Sequence, residues 1–152
     1  MDLGFSVHAR IAAPVDEVFE TVADPDKLSL YFTTGGAKGR LETGATVTWD
    51  FADFPGAFPV EVVEAEPGRH ILLKWEANDR DPDGETCRTE VRIAFKAVDG
   101  GRTEVIISEA GWRESETGMK AAFGNCMGWS QMLCALKAWV EHGINLREGA
   151  YK

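Results

Sequence analysis

Residues 116–143 read ETGMKAAFGNCMGWSQMLCALKAWVEHG, and this stretch decides the fold. Within it Met119, Ala122, Cys126, Trp129, Leu133, Leu136 and Val140 are spaced alternately by three and four, the period of a helix that buries one face. At 1.5 Å per residue that stripe can lie along a sheet for about 30 Å or more. Gly143 is the expected stop, and Ile144-Asn145-Leu146 either prolong the helix or pack as a tail.

Working outward, the preceding chain changes period. Phe5, Val7, Ala9 and Ile11 alternate with Ser6, His8 and Arg10, the pattern of a strand with one buried face. Pro14 opens a short helix in which Val15, Val18, Phe19 and Val22 recur at helical spacing. Asp24-Pro25 breaks it, and a second short helix is predicted over Lys27 to Phe32. Gly35, Gly36, Gly39 and Gly44 punctuate a loop or hairpin. Alternation then resumes: Val47, Trp49 and Phe51; Val60 and Val62; Ile71, Leu73 and Trp75; Val91, Ile93 and Phe95; Val105 and Ile107. The turn signals between these runs are Phe54-Pro55-Gly56, Glu66-Pro67-Gly68, Asp81-Pro82-Asp83-Gly84 and Asp99-Gly100-Gly101. Connections this short imply an antiparallel meander. The expected architecture is α+β, with two short helices after the first strand and a curved antiparallel sheet of about six or seven strands around a long C-terminal helix. It forms one domain over residues 1–152.

That element order, with Ala13-Pro14-Val15-Asp16-Glu17-Val18-Phe19 and Gly128-Trp129-Ser130-Gln131-Met132-Leu133, resembles the SRPBCC superfamily, also called START-like, over nearly the whole chain. Gly111-Trp112 and Leu136-Lys137-Ala138-Trp139-Val140-Glu141-His142-Gly143 resemble the branch named after the C-terminal domain of the heat-shock protein 90 ATPase activator, a cochaperone of the stress response. The resemblance implies a helix-grip fold with a hydrophobic cavity between sheet and helix. Other branches of the superfamily bind lipids, sterols or hormones, or cyclise polyketides, and the shared fold does not choose among these roles.

Composition narrows the partners. A net charge of -9 argues against a nucleic-acid surface, which needs clustered Lys and Arg to hold phosphates, and disfavours anionic membranes for the same reason. Cys87, Cys126 and Cys134 are odd in number and lack CxxC spacing, so neither a disulfide framework nor a zinc site is expected, and a reducing cytoplasm fits. Met1-Asp2-Leu3-Gly4-Phe5 lacks the basic and apolar regions of a signal peptide. No cofactor or metal is expected. Gly35-Gly36-Ala37-Lys38-Gly39-Arg40 lacks the order of a phosphate loop, and Asp79-Arg80-Asp81-Pro82-Asp83 lacks the calcium-loop pattern.

Strand parity points Trp49, Phe51, Trp75, Val91 and Phe95 toward the helix, either as a filled core or as the lining of a ligand pocket. Thr89 and Cys87 share the parity of Val91. Glu109 follows Val105 and Ile107 on the inward parity, and a carboxylate buried there needs a partner. The alternative is that Gly111 marks a bulge or strand end that turns Glu109 to solvent. Trp112, Met119, Phe123 and Met127 fall where this fold opens its cavity, although Phe123, Met127 and Cys134 lie off the main stripe and equally suit packing on the short helices or a dimer contact. His8, His70 and His142 belong to no catalytic motif, and no nucleophile motif such as GxSxG is present.

Three functions follow as expectations. The first is a binding module for a small apolar or aromatic ligand, with Trp49, Phe51, Trp75, Thr89, Val91, Trp112, Met119, Phe123 and Met127 around it and Glu109 as polar anchor. The second is a protein-interaction or cochaperone-like domain, with a homodimer as one form. The third is a pocket enzyme of cyclase or hydrolase type using Glu109 as general acid or base; no catalytic residue is otherwise assigned.

Overall fold

The computed structural model describes residues 3–77, 84 and 86–152. The turn predicted at Asp81-Pro82-Asp83 and the acidic run from Asp79 lie outside the described residues. Seven strands, β1 (Leu3–Ile11), β2 (Gly36–Lys38), β3 (Thr46–Phe51), β4 (Phe54–Glu66), β5 (His70–Glu76), β6 (Arg88–Ala97) and β7 (Thr103–Trp112), form one sheet. Its order is β1-β7-β6-β5-β4-β3-β2, and every pairing is antiparallel. Helices α1 (Val15–Ala23) and α2 (Pro25–Leu28) connect β1 to β2, and α3 (Glu116–His142) follows β7. This is the expected α+β helix-grip arrangement.

Period-two runs become strands because alternate side chains reach one side of the sheet. Val47, Trp49, Val60, Val62, Ile71, Leu73, Val91, Ile93, Val105 and Ile107 are all buried there. Trp129, Met132, Leu133 and Leu136 of α3 and Val18, Phe19 and Val22 of α1 complete the same core. Each such aliphatic or aromatic side chain contributes roughly 1.5–3 kcal/mol on leaving water. Phe95, expected opposite the long helix, instead meets Phe19 of α1, with ring centres 5.1 Å apart.

Two boundaries differ from expectation. The second short helix ends at Leu28, and the chain then turns so that Tyr31 and Phe32 are buried. Tyr31 donates its phenol hydrogen to the Thr21 carbonyl at 3.0 Å, and burial pushes that phenol well above its ordinary pKa. The turn expected at Phe54-Pro55-Gly56 falls instead at Ala52-Asp53, and Phe54-Pro55-Gly56 belongs to β4. A register shift between Trp49 and Phe51 accommodates it.

Helix α3 is held at both ends. Ser115 caps it by accepting from the Gly118 amide. Gly143 ends it in the left-handed conformation at φ 68°, its amide donating to Trp139. At that end the Ala12 amide donates to Glu141 at 3.0 Å, and Lys137 donates to the Arg10 carbonyl at 2.8 Å. The Lys137 ammonium, followed by the Ala12 amide, holds the Glu141 carboxyl below its ordinary pKa. These contacts fasten the helix to the end of β1. No helix among the described residues is long and apolar enough to cross a membrane.

The glycines of α3 differ in what they tolerate. A Cβ on Gly118 would lie 2.1 Å from the Arg113 carbonyl oxygen, whereas at Gly124 and Gly128 it would meet nothing within 4 Å among the described residues. Gly118→Ala is therefore expected to lower the melting temperature. Gly124→Ala and Gly128→Ala should each stabilise by up to about 1 kcal/mol through helix propensity, as measured by denaturant unfolding.

Candidate functional site

The site is built around a carboxylate. Glu109 lies on β7 with its side chain turned inward and is 1% exposed. Gly111 is the extra residue of a bulge, since Leu3 pairs with Trp112 and Gly4 with Ala110; it adopts φ 113°, a region that suits glycine. The bulge thus falls beyond Glu109 and leaves it on the parity of Val105 and Ile107.

Among the described residues, four neutral side chains donate to this carboxylate. From the sheet, Trp75 Nε1 on β5 reaches Oε2 at 2.8 Å and Thr89 Oγ1 on β6 reaches it at 2.6 Å. From α3, Trp129 Nε1 donates to Oε1 at 2.9 Å, and Asn125 Nδ2 lies 3.1 and 3.2 Å from the two oxygens. Asn125 and Trp129 are four residues apart and so share a helix face. None of these partners is a cation. A carboxylate offers about four acceptor positions, and protein donors fill them, each bond to the charged group contributing on the order of 1.5–3 kcal/mol. Proton transfer by Glu109 would first require one of these donors to leave.

An aromatic layer surrounds the carboxylate. Trp75 contacts Trp49, Phe58 and Trp129 at centroid distances of 5.8, 5.9 and 5.6 Å. Phe32 contacts Trp49, Phe51 and Trp129 at 5.7, 5.1 and 5.5 Å. The indole Nε1 of Trp49 is buried with no hydrogen-bond partner among the described residues.

On the far side of Phe32 lies an open groove of about 270 Å³ between α3 and the C-terminal tail, with Tyr31, Phe32, Met132, Cys134, Leu146 and Tyr151 among its walls. Arg147 also lines it. Its side chain is 10% exposed, and it donates to both Asp53 oxygens at 3.1 and 3.3 Å. The guanidinium lies 4.6 Å from the centre of the Phe51 ring and 5.0 Å from that of Tyr151. Its Nε is buried without a partner among the described residues.

Residues 12–141 match the family described as "Activator of Hsp90 ATPase homolog 1-like protein". The chain belongs to this family. Solved structures share the fold of this chain. A Staphylococcus saprophyticus protein is 23% identical over 95% of this chain and 96% of its own, with a TM-score of 0.77. The Aha1 dimer from Colwellia psychrerythraea is 20% identical over 93% and 98%, with a TM-score of 0.72. CalU16 from Micromonospora echinospora is 20% identical over 99% and 81%, with a TM-score of 0.70. No curated protein matches the chain.

Of the residues singled out from sequence, Trp75, Thr89 and Glu109 meet directly, and Trp49 and Phe51 belong to the surrounding layer. Val91 is fully buried beside Glu109 in the register. Trp112 stacks on Phe5 at 5.6 Å in a separate small cluster that Cys87 also packs against. Met119, Phe123 and Met127 are 44%, 68% and 55% exposed; they occupy the outer face of α3 and do not line the groove. Met119 thereby drops out of the buried stripe. Sequence reasoning missed Asn125 and Arg147. Asn125 was signalled by its position, three after Ala122 and four before Trp129, as a polar residue on the buried face. Arg147 carried no periodic signal, because it lies in an irregular tail.

Glu109→Gln puts an amide NH2 where only acceptors fit. It should destabilise the family member by about 1–3 kcal/mol in denaturant unfolding, with a change in tryptophan fluorescence because two indoles donate to the carboxylate. Unchanged stability would show that the donors are dispensable.

Proposed function

We propose that the chain is a binding module for a small, ring-bearing apolar ligand that carries a hydrogen-bond acceptor. The observation that carries this reading is the groove beside Phe32, which combines apolar walls with a nine-tenths-buried Arg147 whose Nε has no partner among the described residues. A volume of about 270 Å³ lies just below the usual range for small-molecule sites, about 300–1,000 Å³, and suits one or two fused rings. Phe32 separates the groove from the aromatic layer, where the Trp49 indole is a second donor without a partner among the described residues. In this reading the ligand sits against Phe32 and offers its acceptor to the Arg147 guanidinium, while the Trp49 indole stays behind Phe32. Glu109 fixes the layer behind it through Trp129.

The test is native mass spectrometry with a thermal-shift screen of aromatic and lipid-like compounds. Binders are expected to raise the melting temperature, and Cys134→Trp, which fills the groove from an exposed position, should abolish the shift without lowering intrinsic stability. If binding persists at full strength in Cys134→Trp, the ligand lies elsewhere.

A second reading has its own support. Met119, Phe123 and Met127 recur every four residues as an exposed apolar stripe, beside Gly124 and Gly128, which leave the helix backbone open to close approach. We infer that this face pairs with a second copy, as the Colwellia Aha1 structure is a dimer. Light scattering should then report twice the mass of 16.7 kDa for the native protein and a monomer for Phe123→Glu. A monomeric native protein would exclude the pairing.

A further inference from the structure

The opposite end of the sheet carries a cluster that the binding role does not use. Strand β4 holds its buried side chains at Val60 and Val62, and regular alternation would send Glu64 and Glu66 inward as well. A bulge prevents this: Val62 pairs with Leu73 and Glu64 with Leu72, leaving Val63 as the extra residue. Ala65 takes the core-facing place, and Glu64 and Glu66 turn to the outer face. There they meet His70 of β5, which pairs directly with Glu66.

The three side chains converge. One ligating atom from each of Glu64, Glu66 and His70 lies within 4.8 Å of the others. Glu64 Oε2 is 3.1 Å from Nε2 of the imidazole, and Glu66 Oε2 is 3.8 Å from Nδ1. The ring is largely buried, its side chain 15% exposed. Nε2 is wholly buried and makes no hydrogen bond among the described residues, so the nearby Glu64 oxygen is close without being aligned for one. A buried imidazole nitrogen left in this state is costly in a folded protein. Arg69 engages the other oxygen of Glu66 at 3.0 Å, which leaves Oε2 directed to the ring. Two carboxylates stand here against one arginine, within a chain that is itself at -9.

We propose that Glu64, Glu66 and His70 form a surface site for a divalent cation of the zinc class. An imidazole nitrogen with two carboxylate oxygens is a borderline donor set. It favours zinc, nickel or cobalt over calcium, which takes six to eight oxygens, and over magnesium. Ligand atoms around tetrahedral zinc sit about 2.0–2.2 Å from the metal, so the cluster must contract by roughly an ångström. Glu64 and Glu66 are half-exposed and can make that adjustment by side-chain rotation, while the imidazole stays fixed on its strand. Bound zinc would give Nε2 the partner it lacks, and water would fill the fourth position.

The test is calorimetric titration of chelator-stripped protein with zinc chloride. One equivalent is expected to bind. Affinity should fall by at least about tenfold, the usual cost of disturbing even the outer ligands of a metal site, in Glu64→Gln and in His70→Asn. Glu64 is exposed, so its substitution keeps the test valid if the His70 variant fails to fold. A variant with Cys87, Cys126 and Cys134 changed to serine should bind as the native chain does. Zinc binding that is absent, that persists at full affinity in Glu64→Gln, or that disappears with the cysteines would overturn the assignment. Displacement of zinc by an equal concentration of magnesium or calcium chloride would overturn the metal class.

Discussion

The buried carboxylate of Glu109 constrains more of this molecule than any other single group. A charge taken out of water must be repaid by hydrogen bonds, and here the donors come from both layers: Trp75 and Thr89 from the sheet, Asn125 and Trp129 from α3. That requirement fixes the rotation and axial position of α3 more sharply than apolar contact can, because hydrophobic burial is non-directional. It also requires β7 to keep its parity as far as Glu109, which the glycine bulge at Gly111 respects by falling two residues later.

The consequences spread along α3. Its second half carries the apolar stripe into the core, and its far end is fastened to β1 through Glu141 and Lys137. Its first half is different. Gly118 is buried against Arg113, while Gly124, Gly128, Met119, Phe123 and Met127 lie on outer faces. The low helix propensity of glycine makes this half intrinsically weaker, so the hydrogen bonds to Glu109 hold a segment that packing alone would hold less well. The C-terminal tail then returns across the aromatic layer, with Arg147 paired to Asp53 and lying over Phe51. The groove is what remains between that tail and the middle of α3.

Bulges act as placement devices throughout the sheet. The one at Gly111 ends inward parity just after Glu109, and the irregularity between Trp49 and Phe51 starts the turn that presents Asp53 to Arg147. The one at Val63 turns Glu64 and Glu66 from the core to the outer face, where they meet His70. In each case one extra residue decides which side of the sheet a charged group reaches, because side-chain direction alternates with a period of two.

By itself the sequence determined the element order, the inward faces of the strands, the long helix with its glycine stop, and the inward parity of Trp75 and Thr89. These are properties of local periodicity, and a period of two or of 3.6 is written into neighbouring residues. Parity left Glu109 ambiguous, since Gly111 could equally mark a bulge or strand end that turned it to solvent. Only the tertiary structure decided that Asn125 completes the carboxylate's donors, that Met119 faces outward, that Arg147 closes over Phe51, and that the histidine at position 70 stands between two glutamates. Each of these depends on contact between segments distant in the chain or on a one-residue slip in register. Neither is recorded in the spacing of residues along a single strand or helix.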